Sequence, residues 1–196
     1  MKKVVTDRRR QKILSVVEKR QPGLTVVLEG IHDPHNVSAI LRTADAAGVL
    51  EVQLVYAIEE FPKLGKKSSA SAVKWVKRRT FKSIEACYER LHKEGFRVYA
   101  THLGAASPSI FELDLTGKVA LVFGNEHRGV SERAAELADG NFQIPMVGMI
   151  RSLNVSVACA ISLFEAFRQR QKAGCYGRSA LGSTDEKQLI DEWLDK

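Results

Sequence analysis

The segment IPMVGMIRSLNVSVACA, residues 144–160, carries small polar side chains where its apolar pattern predicts a buried element. Pro145 and Gly148 predict a bend after a short apolar strand, and a bent backbone exposes amide and carbonyl groups to a ligand. Ser152 and Asn154 come at the start of the following helix, where they can cap it and face the same space. The segment therefore predicts either a binding loop at a helix N-terminus or a helix cap with no further role.

A second candidate loop, FGNEHRG at residues 123–129, follows an apolar strand. Gly124 and Gly129 permit a close approach of the backbone. Between these glycines lie Asn125, Glu126 and Arg128. The loop is not a Walker loop, and no GxGxxG pattern follows the first strand, so the usual cradles for nucleotide phosphates are missing. The pattern predicts either a ligand-binding loop or an ordinary polar turn.

Asn36 and Arg42 lie on a helix that is expected to begin at Asp33-Pro34. Six residues correspond to about 9 Å along the helix axis, so both side chains reach one site only if this helix end borders it. Arg42 occurs in the apolar context AILRTADAAG, where a buried guanidinium would need a charged or hydrogen-bonding partner. The alternative is an arginine that is exposed to solvent.

The elements that must position these loops alternate between strand and helix. Strands are predicted at 24–30, 50–56, 75–81, 96–103, 118–124 and 142–145. Helices are predicted at 6–20, 33–48, 68–73, 83–94, 131–138, 154–172 and 182–196. This order predicts an α/β fold with a mostly parallel sheet and helices on both faces. Because ligands bind at the carboxyl ends of such strands, the loops after Ala100, Phe123 and Ile144 are the expected site.

The excess of positive charge indicates an anionic partner. The formal net charge is +7, and the basic residues cluster in segments 2–20, 62–82 and 168–178. Clusters of Lys and Arg bind nucleic acid by displacing its condensed counterions, whereas a single cluster is commonly just a solvated helix face. Three such clusters favour a nucleic-acid partner.

Several other classes of protein are disfavoured. No run of about 18 apolar residues and no signal-peptide pattern occurs, so we expect a cytoplasmic protein without a membrane span. Cys87, Cys159 and Cys175 are widely spaced, which favours reduced thiols over disulfides or a zinc site. His32 and His35 have no further His or Cys at ligand spacing, so no metal is expected.

Three segments, in this order, resemble the motifs of the SpoU (TrmH) family of RNA 2′-O-methyltransferases: HNVSAILRTADAAGV, ALVFGNEHRGVSE and IPMVGMIRSLNVSVACA. The resemblance implies a SPOUT-type α/β fold with a deep C-terminal trefoil knot in about residues 120–174, and a homodimer. It also implies a methyltransferase domain at 23–174, a basic helical extension at 1–22 and a second helical extension at 175–196.

The same resemblance implies roles for particular residues. S-adenosylmethionine would lie against three loops, at His102, Leu103, Gly124, Ile144, Met149, Ser152 and Leu153. Arg42 would act on the ribose 2′-hydroxyl, either as the base or by stabilising the developing alkoxide. Arg42 and the ribose would be positioned by Asn36, Glu126, Ser152 and Asn154. RNA phosphates would bind basic residues near both chain ends, namely Arg8, Arg9, Lys12, Lys19, Arg20, Arg168, Arg170 and Arg178.

Within the family, the chain most resembles members that methylate the ribose of guanosine 18 in the D-loop of tRNA. A ribosomal RNA 2′-O-methyltransferase is the nearest alternative, but such members often carry a separate N-terminal RNA-binding domain. A non-catalytic RNA-binding module belongs to a different class, and the presence of Arg42 and Asn154 disfavours it. A Rossmann nucleotide enzyme is disfavoured by the missing glycine pattern.

Overall fold

A computed structural model describes residues 5–56, 61–62, 72–102 and 107–196. Its strands are β1 (Leu24–Glu29), β2 (Glu51–Val55), β3 (Lys77–Phe81), β4 (Arg97–Thr101), β5 (Val119–Phe123) and β6 (Gly140–Phe142). They form one sheet in the order β3-β2-β1-β5-β4-β6, and every neighbouring pair is parallel. The predicted α/β fold with a parallel sheet is confirmed.

The helices are α1 (Asp7–Val17), α2 (Pro34–Ala46), α3 (Ile84–Lys93), α4 (Glu132–Leu137), α5 (Val155–Lys172) and α6 (Ser183–Leu194). Two short 3₁₀ helices occur at Ala72–Lys74 and Ile110–Glu112. The first five α-helices begin after a residue whose side chain accepts a hydrogen bond from a backbone N–H of the first turn: Thr6, Asp33, Ser83, Ser131 and Asn154. None of the helices in these ranges is long and apolar enough to cross a membrane.

One predicted strand is displaced, and one predicted helix lies mostly outside the described residues. The last strand lies at 140–142 rather than 142–145, because Gln143 makes only an isolated bridge to Ser109 and Pro145 has no amide hydrogen to extend the ladder. The helix predicted at 68–73 falls mostly on 63–71, outside the described residues, and its end overlaps the 3₁₀ helix that begins at Ala72.

The core lies on both faces of the sheet, with its centre at β1 and β5. Successive residues of β1 point to opposite faces, so Val26 packs in one apolar cluster and Val27 in the other. The cluster around Val26 includes residues of α2 and α5, and the cluster around Val27 includes residues of α3 and α4. All five residues of β5 are buried, as expected for a strand covered on both faces.

The helices nearest the two chain ends pack against each other. Ile13 and Val17 of α1 form an apolar cluster with Leu189 and Trp193 of α6. The N-terminal and C-terminal segments, which lie far apart in the sequence, therefore form one surface.

Two arginines that were predicted to bind RNA are instead part of the interior, and this prediction is corrected. Arg20 is 0% exposed; its guanidinium donates to the carbonyl oxygen of Val49 at 2.9 Å and forms a close ion pair with Asp45. Arg170 is 3% exposed and binds groups of the loops before β1 and β5. Both guanidiniums are enclosed by the chain and bonded to its own acceptors through their terminal nitrogens, so they are not available to phosphates.

Candidate active site

A cleft of about 550 Å³ lies at the carboxyl ends of β4, β5 and β6. Five of the seven residues that were predicted to contact the cofactor line it: His102, Gly124, Ile144, Ser152 and Leu153. They come from the three loops that the sequence singled out after Ala100, Phe123 and Ile144. The carboxyl edge of the sheet thus brings these loops to one space, as expected for a parallel α/β fold.

The other two residues of that set do not line the cleft. Met149 is 100% exposed, and the wall is formed by Met146 of the same loop instead. Leu103 lies outside the described residues. Segment 144–154 contains neither helix nor strand, so much of its backbone remains available to a ligand.

Gly124 is required by the way its loop closes on itself. A Cβ atom at this position would lie 2.0 Å from the carbonyl oxygen of Gly129, far inside contact distance. Asn125 and Gly129 form an antiparallel bridge, and Gly129 has a φ of +71°, which favours glycine. The sequence predicted a close backbone approach here, and the structure shows that the approaching backbone is the far side of the same loop.

Asn125 holds this loop against β1, a role that the sequence did not reveal. Its side-chain amide donates to the carbonyl oxygen of Gly30 at 2.8 Å, and its Oδ1 accepts from the backbone N–H of His127 at 2.9 Å. A side chain that satisfies backbone groups on two segments fixes their relative position. The signal that could have identified Asn125 is its position directly after Gly124, at the start of the loop.

The predicted catalytic residues Asn36, Glu126 and Asn154 form one hydrogen-bonded relay, although they come from three separate segments of the chain. Asn36 Nδ2 donates to Glu126 Oε1 at 2.9 Å, and Asn154 Nδ2 donates to Asn36 Oδ1 at 3.0 Å. Asn154 Oδ1 accepts from the backbone N–H of Ser156 at 2.9 Å and from its hydroxyl at 2.6 Å. We call this chain, from Ser156 to Glu126, the amide relay.

The direction of the amide relay is set by its one acceptor-only member. A carboxylate has no hydrogen to donate, so the NH₂ group of Asn36 must face Glu126. The oxygen of Asn36 then faces the NH₂ group of Asn154, whose own oxygen faces Ser156. Each amide is therefore held in one orientation.

Glu126 stays ionised at neutral pH. Burial acts to raise the pKa of its carboxyl, but hydrogen bonds from Asn36 and from the backbone N–H groups of Glu126 itself, His32 and Asp33 outweigh it and lower the pKa below the usual value. The stability that this ionised group contributes is therefore present above the ordinary glutamate pKa. It is lost only as the pH falls through the lowered value.

Arg42 is exposed on α2 and does not line the cleft. No hydrogen bond or ion pair joins its guanidinium to the residues that the structure describes. Of the two alternatives for this residue, the buried arginine is therefore wrong and the exposed arginine is correct. The guanidinium remains available to a group outside this chain.

Six of the eight predicted RNA-binding residues remain on the surface. Arg8, Arg9, Lys12 and Lys19 are exposed around α1. Arg168 and Arg178 are exposed near the end of α5 and beyond it. The Arg168 guanidinium makes two hydrogen bonds to the carboxylate of Glu165, at 2.7 and 2.8 Å.

Arg151 is a further basic residue at the cleft, and sequence reasoning missed it. It is exposed, lines the cleft and directly precedes Ser152. Arg151 lies outside the three basic clusters. The signal that could have identified it is its position in segment 144–160, directly before Ser152. Together with Arg128 on the opposite loop it gives the cleft a cationic wall, which suits an anionic substrate.

Comparison with known proteins agrees with this geometry. Residues 23–164 match the SpoU rRNA Methylase family, so the chain belongs to this family. The chain is 47% identical over 191 residues to the tRNA (guanosine(18)-2′-O)-methyltransferase of Thermus thermophilus. The aligned region covers 97% of this chain and 98% of that relative.

Solved structures are similar as well. The Aquifex aeolicus TrmH/SpoU tRNA modifying enzyme superposes with a TM-score of 0.90 at 37% identity, covering 96% of this chain and 95% of that one. An AdoMet-bound rRNA methyltransferase from Sinorhizobium meliloti superposes with a TM-score of 0.63 at 30% identity, covering 79% of this chain and 59% of that one.

Proposed function

We propose that the protein transfers a methyl group from S-adenosylmethionine to the ribose 2′-hydroxyl of guanosine 18 in tRNA. The observation that carries this proposal is that the second and third motifs line one cleft, while the amide relay joins Asn36 of the first motif to both of them. Similarity over nearly the whole chain to relatives named for this activity supports the substrate.

The residues at the cleft fit S-adenosylmethionine. Ile144 and Leu153 offer apolar contact for an adenine ring, and the non-helical backbone of 144–154 offers donors and acceptors for its polar groups. His102 and Gly124 border the same space from the neighbouring loops. When bound, this cofactor supplies an electrophilic methyl group on a sulfonium.

The chain's own residues must then prepare the ribose hydroxyl, which is a poor nucleophile at neutral pH. Glu126 is unsuited to take its proton, because the carboxylate already accepts from Asn36 and from the backbone N–H groups of His32 and Asp33, and its pKa is lowered away from neutrality. A guanidinium group can hold developing negative charge but is unsuited to take a proton in a protein. We therefore assign Arg42 to stabilising the developing alkoxide, with a phosphate of the RNA helping to remove the proton.

The amide relay positions the reacting groups and takes no direct part in the reaction. It joins the start of α2 to the loop of Glu126 and to the start of α5. Arg42 lies further along α2, so the relay also fixes the helix that carries Arg42. Ser152 lies two residues before Asn154 at the cleft wall, where it can contact the ribose. Holding the reacting groups in one geometry lowers the barrier by removing orientational freedom before the reaction.

A homodimer is part of the proposal. Several large apolar side chains are exposed on segment 144–154 and on α5: Val147, Met149, Ile150, Val157 and Phe164. Several large exposed apolar side chains in neighbouring segments are typical of a protein interface, and a second copy of the chain would cover them and account for the exposure of Met149. The trefoil knot implied by the family stays a prediction.

The test is a methylation assay with labelled S-adenosylmethionine and an unmodified tRNA transcript, followed by mapping of the labelled nucleotide. We expect a label on the ribose at guanosine 18, and none on a transcript that carries 2′-deoxyguanosine there. Arg42→Ala should lose activity and keep cofactor binding. A label on a base, or a label on ribosomal RNA in preference to tRNA, would refute the proposed substrate.

A further inference from the structure

A second cleft, of about 420 Å³, lies where the two ends of the chain meet. It is formed between α1, the end of α2, α6 and the segment after the 3₁₀ helix Ala72–Lys74, and it shares no lining residue with the candidate active site. Its polar and aromatic lining consists of Arg9, Lys12, Arg20, Asp45, Trp75 and Trp193. We call it the terminal cleft.

The wall of the terminal cleft is aromatic and rich in hydrogen-bond donors. The rings of Trp75 and Trp193 meet edge to face, 5.0 Å apart at their centroids, and the Arg20 guanidinium lies 4.9 Å above the Trp193 ring. Arg20 Nε and Trp193 Nε1 are both buried and donate to no acceptor in the structure. Arg20 is fully buried and Trp193 nearly so, so the ring that a ligand can reach is that of Trp75, which is partly exposed.

The rim of the terminal cleft is cationic. Arg9 and Lys12 lie three residues apart, hence on the same face of α1, and both are exposed. Their charged groups make no hydrogen bond or ion pair with any residue in the described ranges. The one acid of the lining, Asp45, is already paired with Arg20. The free charge at the rim is therefore positive.

We propose that the terminal cleft binds one unpaired nucleotide of the RNA substrate, with its phosphate at Arg9 and Lys12 and its base against Trp75. An aromatic ring beside free cations matches the two parts of a nucleotide, and bases reach such rings only where they are unpaired. An acidic peptide would leave the aromatic wall without a partner. The inference rests on the RNA substrate proposed above.

Intrinsic fluorescence can test this directly, because Trp75 and Trp193 are the only two tryptophans of the chain. The full-length protein is titrated, without S-adenosylmethionine, with a tRNA transcript and with a short single-stranded RNA. We expect both to change the emission in a saturable way. The change produced by tRNA should follow the binding curve measured by filter retention.

Three variants, one of them a control, test whether the RNA binds at the terminal cleft. Lys12→Ala should lower the slope of log affinity against log salt by about one, while Lys187→Ala, which removes an exposed charge from α6 outside the cleft, should leave the slope unchanged. Trp75→Leu should weaken binding of the short RNA roughly tenfold, as expected for loss of one stacked base. Thermal unfolding of each variant checks that it is folded.

Three outcomes would overturn the proposal. The first is constant emission while tRNA binds to saturation, and the second is the same salt slope for Lys12→Ala and Lys187→Ala. The third is the whole emission change produced by inorganic phosphate or polyglutamate at the same concentrations, which would make the cleft a simple anion site. Failure of the proposed methylation would be separate, because the titration measures binding and contains no methyl donor.

Discussion

Arg170→Ala should destabilise the protein without removing an RNA contact. The Arg170 guanidinium donates to carbonyl oxygens of Leu115 at 3.0 Å, Gly23 at 3.0 Å and Gly117, and to Gln21 Oε1 at 3.1 Å. These bonds join the end of α5 to the loops that precede β1 and β5, the two central strands. Alanine would remove all of them and leave a cavity.

The size of the effect follows from these contacts. Each hydrogen bond of this kind contributes about 1 kcal/mol net, and Gly23 and Gly117 can recover part of the loss because their loops are near the surface. We therefore expect the free energy of unfolding to fall by about 3 kcal/mol. For a domain of this length that corresponds to a drop in Tm of roughly 6 to 12 °C.

The assay is thermal unfolding at a fixed protein concentration, together with tRNA affinity measured well below both transitions. Arg178→Ala is the matched control, because Arg178 is exposed and lies eight residues further along the same basic segment. We expect Arg178→Ala to keep the wild-type Tm and lose tRNA affinity. If Arg170→Ala kept the wild-type Tm and bound tRNA weakly, the structural assignment of Arg170 would be wrong.

Three further predictions concern the site and the thiols. Gly124→Ala should abolish cofactor binding, measured by calorimetry, because its Cβ would lie 2.0 Å from a backbone oxygen; normal affinity would contradict the loop geometry. Glu126→Gln should lower kcat roughly 10- to 100-fold with little change in cofactor affinity, because its amide can donate and so no longer sets the direction of the amide relay. Steady-state kinetics that match the wild type would argue against the relay. A thiol reagent should modify Cys175 first, since burial raises the pKa of Cys87 to about 12 and that of Cys159 further; rapid labelling of a buried thiol, seen by mass spectrometry, would contradict this.

The sequence was informative about the strands and the motif loops because both depend on local pattern. A strand such as β5, VALVF, is apolar at every position, and only burial on both faces gives that pattern. The loop at Gly124 is likewise determined within six residues, since Gly124 and Gly129 meet across it.

Which arginines are buried and which are exposed could not be predicted from local pattern. Arg168 and Arg170 are two residues apart in one basic segment, yet one is exposed and the other is buried. The difference is produced by partners that lie 149 and 55 residues away, at Gln21 and Leu115. Neither local composition nor helical periodicity contains that information, because charge and side-chain length are the same for both residues.

The sequence left open whether Asn154 is a helix cap or a site residue. Its side chain has both roles, since it caps α5 and belongs to the amide relay. Its oxygen accepts the backbone N–H of Ser156 and so caps α5, while its NH₂ group donates to Asn36 and so joins the amide relay. Aspartate or serine would cap the helix about as well. Neither has an NH₂ group, and aspartate would place a second acceptor against the oxygen of Asn36. Capping alone therefore does not explain asparagine at this position, whereas the requirement to accept toward one helix and donate toward another does.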